Sequence, residues 1–226
     1  VVWAGVAFSA LLLLPAIEVV AVRFINPPVT PLMLLRLVEA RVSGAHPLRK
    51  LYEWRDLDRM PHDFVKCVLV AEDQRFFRHH GFDWREIHLA RMEAERTGKG
   101  PRGASTITMQ CARSVFLWQG RSWIRKGIEA YYTFWMELLL PKRRILELYV
   151  NAIEMGDGIY GIEAAARTHF GVSAANLSHE QCAMLAAILP NPREWNPREP
   201  SASLSVRCAR ILQQEKQITF PLPEAR

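Results

Sequence analysis

The chain has 226 residues, 50% apolar and 23% charged, with a formal charge of +6 and a pI near 9.4. That balance excludes an intrinsically disordered polymer and suits an anionic partner, whether nucleic acid, anionic lipid or a phosphorylated substrate. Cys67, Cys111, Cys182 and Cys208 are widely spaced without a Cys-x-x-Cys pair, so they read as small buried residues rather than a disulfide framework.

Residues 1–17 carry no charge. At about 1.5 Å per residue they cover roughly 25 Å as a helix, and extension to Val22 completes a span of a ~30 Å hydrocarbon core. Residues 1–22 therefore read as a transmembrane anchor, with Glu18 near one end, where a charge is tolerated best. Residues 23–60 read as a linker and membrane-proximal segment: Asn26-Pro27-Pro28 and Pro31 stiffen the chain, residues 32–42 have helical spacing, and residues 43–57 form a loop. Residues 61–226 form the main domain.

Pro61 suits the first turn of a helix whose apolar run, residues 64–70, enters a core. The acidic pair Glu72-Asp73 stands where that helix leaves it, followed by Phe76, Phe77, His79 and His80. Such a stretch reads equally as an ordinary surface turn or as a place for carboxylate chemistry, because ion-pair networks imitate active sites. A helix over residues 84–96 ends in the glycine-rich, basic break 97–103, a candidate mobile loop. The hydroxyl-rich turn Ser105-Thr106-Ile107-Thr108 opens the next helix, and either Ser105 or Thr106 suits its cap.

Ile124, Ile128, Tyr131, Trp135 and Leu138 recur at the helical period over residues 122–140, with Arg125, Lys126 and Glu129 on a neighbouring face. Pro141 breaks this helix and residues 142–151 begin another. Gly156, Gly158 and Gly161 mark a turn before the alanine-rich residues 162–170. Ser178-His179-Glu180-Gln181 is a capping box for an apolar helix that stops at Pro190; a proline-rich loop and a last helix over 204–214 follow. No alternating strand run of useful length and no internal repeat appear, so the fold class is mainly α.

Read together, these segments resemble the family 51 glycosyltransferases, the peptidoglycan polymerases, and most closely their monofunctional membrane-anchored type. Glu72-Asp73-x-x-Phe76-x-x-His79-x-Gly81 matches the first family motif, and residues 103–110 match the second, with Met109 in place of a glutamine. Arg125-Lys126-x-x-Glu129 matches the third; Lys142-x-x-Ile145-Leu146-Glu147-x-Tyr149-Val150-Asn151 matches the fourth, with Val150 for leucine; Arg207-x-x-x-Ile211-Leu212 is similar to the fifth.

The resemblance implies a lysozyme-like, two-lobed helical domain on the periplasmic side of a bacterial inner membrane, held by a single span. It implies lipid II as substrate and the growing glycan strand as donor. Glu72 is then the general base for the acceptor's GlcNAc 4-hydroxyl, and Glu129 the second essential carboxylate, holding Arg125 and Lys126. Ser105, Thr106, Gln110, Arg113 and Arg121 line the donor site. Asp73, Phe76, His79, Lys142, Tyr149 and Asn151 support it. No protein-held metal or required cofactor is implied, and Mg2+ or Mn2+ would be an optional bridge on the substrate pyrophosphate. Further partners would be a transpeptidase or cell-division proteins, not nucleic acid.

The chemistry of the residues agrees. A glycosidase in such a cleft requires one carboxyl as proton donor, because a sugar alkoxide leaves poorly. Pyrophosphate leaves readily once its charge is matched by fixed cations, and the arginines between the hydroxyl-rich turn and Glu129 suit phosphate oxygens. A glycan-cleaving enzyme on the same fold and a non-catalytic anchored module that binds glycan or lipid phosphate are the competing readings.

Overall fold

The computed structural model describes residues 2–44, 51–100, 103–118, 120 and 122–221; for residues 2–12 it describes backbone only. Helix α1 (Val2–Phe24) passes the boundary expected at residue 22. Its second half is built into the domain: Pro15, Val19 and Val22 share a face that is buried, and α1 packs on α6 (Trp123–Leu139). Glu18 accepts a hydrogen bond from the Tyr132 hydroxyl, and Arg23 Nη1 donates to Leu139 O at 2.8 Å. The opposite face leaves Leu13, Leu14, Ile17, Val20 and Phe24 exposed. Among the described residues no helix is long and apolar enough to cross a membrane.

The described residues among 23–60 are knitted to the domain rather than hanging free. Thr30 caps α2 (Pro31–Val42), with Pro31 in the first position where its missing N–H costs nothing. Leu32 and Met33 then bury against Tyr160, and the Tyr52 hydroxyl donates to Pro27 O at 2.8 Å. Leu57 and Met60 enter the main core. Helix α3 (His62–Glu72) follows, and its apolar run packs on α9 (His179–Ala187) and α10 (Ala202–Glu215).

Helix α4 (Trp84–Thr97) is capped by Asp83, and α5 (Ile107–Phe116) by Thr106. Nearly every residue of α5 is buried, because α6 and α7 (Lys142–Ala152) pack on it from two sides and α2 from a third. One apolar cluster extends from Val19 and Phe64 through Ile107, Tyr149 and Leu185 to Ile211, so both helix groups share a core. The expected capping box on α9 is present, with Ser178 and Gln181 satisfying each other's backbone. All four cysteines are buried and free, as their apolar neighbours suggest.

The glycine turn forms a small sheet, β1 (Leu51–Tyr52), β2 (Glu154–Gly156) and β3 (Ile159–Tyr160), in the order β1-β3-β2. Strand β1 is parallel to β3, with Leu51 opposite Ile159, and β2 is antiparallel to it. Such short strands carry no alternating signature, hence their invisibility in the sequence. Gly161 leads from β3 into α8 (Gly161–Phe170) at φ +75°. A Cβ there would stand 2.5 Å from Asn151 O. Gly161→Ala is therefore expected to destabilise the fold by about 2–3 kcal/mol, from left-handed strain plus overlap, seen as a lower midpoint in denaturant unfolding.

Candidate active site

Because α3 is buried along its length, its C-terminal end is fixed, and Glu72 is its last residue. The Glu72 side chain is 12% exposed. Its Oε2 accepts from Gln110 Nε2 at 2.9 Å and its Oε1 faces Arg207 Nη2 at 3.2 Å. Burial raises the carboxyl above its ordinary pKa of 4.5; the Gln110 hydrogen bond, Arg207 and Arg113 pull it back, and Asp73 adds to the rise. The C-terminal end of a helix is also the unfavourable end for an anion.

Asp73 points elsewhere. Both of its oxygens lie 3.0 Å from His79 Nε2, and Oδ2 accepts the Ile107 N–H at 3.0 Å, at the start of α5. Thr106 completes this joint: its hydroxyl donates to Gly81 O at 2.6 Å and accepts the Met109 N–H at 3.2 Å. Of the two hydroxyls suited to cap the helix, Thr106 is the one that does so, and it is 2% exposed. Gly81 has φ +86°, and a Cβ there would stand 2.8 Å from Thr133 Cγ2.

Phe76 belongs to the main core. It is fully buried, edge-on to Phe77 at 5.0 Å and beneath Lys142 Nζ at 4.4 Å, because the turn after Asp73 directs it into the core. Lys142 also pairs with Glu137 at 2.8 Å, which accepts from Thr108 as well. Asn151 clamps the Arg55 backbone through both ends of its amide, at 2.9 and 2.8 Å, away from Glu72. Tyr149 reaches the site indirectly: its hydroxyl donates to Gln110 Oε1 at 3.0 Å. Met109 is 6% exposed, where a thioether requires no hydrogen-bond partner.

The third segment forms a compact ion cluster on α6. Glu129, with no exposed surface, accepts from Arg125 Nη1 at 2.7 Å and from Lys126. Arg125 Nε donates to Gly120 O at 2.7 Å, and Lys126 reaches back to Ser105 Oγ at 3.3 Å. Arg113 forms no ion pair among the described residues, and its buried Nε has no partner. Arg121 lies outside the described residues.

Two open pockets flank Gln110. The first, about 440 Å³, is lined by Glu72, Asp73, Ser105 and Thr106 together with Asp83 and Arg85. The second, about 600 Å³, is lined by Gln110, Arg113 and Arg125 together with Arg36, Glu154 and Arg193. The Glu72–Gln110 hydrogen bond therefore joins an acidic pocket to a basic one. Arg207, Arg36, Glu154 and Arg193 had no site role from sequence. Arg207 carried a signal, its place in the fifth motif, whereas the others lie far apart with no local pattern.

Among the described residues, two groups have metal-ligating atoms within 4.8 Å of one another: Asp73, His79 and Asp83, and Cys67, His179 and Glu215. In the first, Asp73 and His79 already satisfy each other and Asp83 caps α4. In the second, His179 and Glu215 pair at 2.6 Å.

Comparison with known proteins gives the family of the chain. The transglycosylase family profile matches residues 42–216. The chain is 48% identical over 205 residues to the biosynthetic peptidoglycan transglycosylase of Xanthomonas campestris pv. campestris (strain B100), covering 91% of this chain and 83% of that protein. It is 46% identical over 209 residues to the protein of the same name from Stutzerimonas stutzeri (strain A1501), covering 92% and 85%. The chain belongs to the transglycosylase family.

A carboxylate whose pKa is raised by burial favours the neutral form, so folding is strengthened below about pH 4.5 and loses that contribution as pH rises through the raised value. Above that raised value the ionised Glu72 opposes folding, and Glu72→Gln is expected to melt no lower than the wild type there. If Glu72 must be ionised to react, the acid limb of kcat/KM falls above pH 4.5, and Arg207→Gln moves it further up by removing a nearby positive charge. Calorimetry and a pH–rate profile check these two outcomes.

Proposed function

We propose that the protein polymerises peptidoglycan glycan chains from lipid II. The observation that carries this reading is one buried carboxylate, Glu72, separated only by the Gln110 amide from a pocket lined with arginines. The acceptor's GlcNAc 4-hydroxyl enters the first pocket and gives its proton to Glu72 as its oxygen attacks the anomeric carbon of the donor's MurNAc. The C–O bond to the pyrophosphate breaks, and a β-1,4 bond forms with inversion. The leaving pyrophosphate faces Arg113, whose guanidinium is not neutralised by a carboxylate of its own, with Arg121 as a further cation. Glu129 holds Arg125 and Lys126 in place, and Lys126 bridges to Ser105 between the pockets. Asp73, His79 and Thr106 keep the Glu72 turn seated on α5.

This arrangement favours transfer over glycan cleavage. A glycosidase would use Glu72, whose raised pKa suits a proton donor, and would require a second carboxylate facing the cleft as nucleophile or base, yet Glu129 is enclosed by two cations with no exposed surface. Because Arg113 and Arg121 supply charge matching in this reading, Mg2+ or Mn2+ on the pyrophosphate is read as an accessory.

The exposed apolar face of α1, from Leu13 to Phe24, supports reading the N-terminal segment as a single-pass anchor in the bacterial inner membrane, with the domain on the periplasmic side. Exposed Trp118, Trp123 and Ile124 beside the basic pocket suit a domain lying against the lipid that carries its substrate. A transpeptidase is the partner that would cross-link the product.

Incubation of the purified protein with labelled lipid II is expected to yield polymer that lysozyme digests; intact substrate, or release of free sugar, would sink the reading. Glu72→Gln is expected to slow polymerisation by about 10²–10⁴-fold, the usual worth of a general base. Arg113→Gln is expected to lower kcat/KM with the fold intact.

A further inference from the structure

Away from the two pockets, three helices converge on side chains that the polymerase reading does not use. Cys67 lies in the middle of α3, His179 opens α9 and Glu215 closes α10, and these helices pack on one another. The Cys67 sulfur, a His179 ring nitrogen and a Glu215 carboxylate oxygen lie within 4.8 Å of one another. None of the three residues lines either pocket.

The His179–Glu215 contact, 2.6 Å from Nε2 to Oε2, is by itself an ordinary polar pair. The thiol beside it is what such a pair does not explain. Cys67 has no exposed surface, and its Sγ makes no hydrogen bond among the described residues, whereas the equally buried Cys111 donates to Ile145 O at 3.6 Å. Burial raises the Cys67 thiol far above its ordinary pKa, and Glu215, Cys182, Asp63 and Cys208 push it the same way. A thiolate there has acids and thiols as neighbours, and a dication is the partner that stabilises it. Lys66 does not fill that place: its Nζ stands 3.8 Å from the other oxygen of Glu215, and its side chain is 39% exposed.

The ligand types select the ion. One thiolate, one imidazole and one carboxylate form a set that Zn2+ accepts, whereas Mg2+ and Ca2+ favour sites built from oxygen. A coordinated ion sits among its own ligand atoms and requires no ready cavity. Bonds of about 2.0–2.3 Å hold those atoms about 3.3–3.6 Å apart around Zn2+. The His179–Glu215 pair therefore opens and the Cys67 sulfur draws in, movements of side chains rather than of backbone. The ion enters past His179, whose side chain is 35% exposed, and water takes the fourth position on that side.

We propose that Cys67, His179 and Glu215 form a zinc-binding site, with Zn2+ held by Cys67 Sγ, His179 Nε2 and a Glu215 oxygen. Binding expels the Cys67 proton to solvent, and His179 keeps a proton on Nδ1. The ion ties α3 to α9 and α10 at one point. Glu72 ends α3 and Arg207, which faces it, stands on α10, so the ion braces the two helices that bring this pair together. The site stands whichever reaction the cleft performs.

The full chain, purified without a histidine tag, kept reduced and freed of metal by a chelator that is then removed, is titrated with Zn2+ and separately with Co2+. One equivalent of each is expected to bind, Co2+ with a thiolate charge-transfer absorption that added Zn2+ abolishes. Zn2+ is also expected to raise the midpoint of thermal unfolding. Cys67→Ser should remove the charge-transfer absorption, whereas Cys182→Ser and Cys208→Ser should retain it. His179→Ala and Glu215→Gln should weaken Zn2+ binding by more than the roughly 10–100-fold that outer-shell partners are worth. His179 is partly exposed at a helix start, so His179→Ala decides the matter if Cys67→Ser does not fold. Absence of saturable Zn2+ binding, a Co2+ spectrum without thiolate absorption, absorption that survives Cys67→Ser, or unchanged affinity in His179→Ala would overturn the site. None of these measurements uses lipid II, so their failure leaves the polymerase reading intact.

Discussion

The carboxamide of Gln110 is the joint on which the cleft depends. Its nitrogen faces a carboxylate, Glu72, and its oxygen faces a phenol, Tyr149, so only one orientation avoids placing oxygen against oxygen. The phenol must then remain a donor, and its surroundings ensure it: burial first, and the negative charge of Glu72 second, push Tyr149 well above its ordinary pKa. A polar chain anchored in the α7 core thus aims Glu72, one of several carboxylates that line the acidic pocket. The hold is reciprocal, because the same amide that orients Glu72 also weakens its basicity by stabilising the charged form.

The rest of the architecture keeps that joint from moving. Helix α5 carries Gln110 and is buried on nearly all sides, and its first turn is tied to the Glu72 turn by Asp73, Thr106 and Gly81. From the other direction Lys126 reaches Ser105, so α6 closes on the same strip of chain. Position here comes from buried helices and short hydrogen bonds, and the open surfaces are left to the two pockets.

Much of this was legible in the sequence. Helical periodicity located the helices because each has one buried face, and Ser178 and Gln181 announced a cap that forms as read. The grouping of Arg125, Lys126 and Glu129 followed from helical spacing alone. What sequence could not supply is pairing across long separations. Arg207 meets Glu72 and Arg36 meets Glu154 only because α10 and α2 fold back on the body, and no local pattern encodes either contact. The three short strands escaped for a plainer reason, since two or three residues cannot display a period of two.

The docking of α1 has a mechanical consequence. Val19 and Val22 belong to the same apolar cluster as Phe64 and Tyr149, and Glu18 and Arg23 pin the helix to both ends of the α6 contact. A chain cut after this helix would lose part of its own interior, not merely a tether. If the helix also enters lipid, the catalytic body cannot swing on a hinge above the bilayer; its tilt and height are those of α1, and the cleft meets each incoming lipid-borne sugar from one fixed altitude.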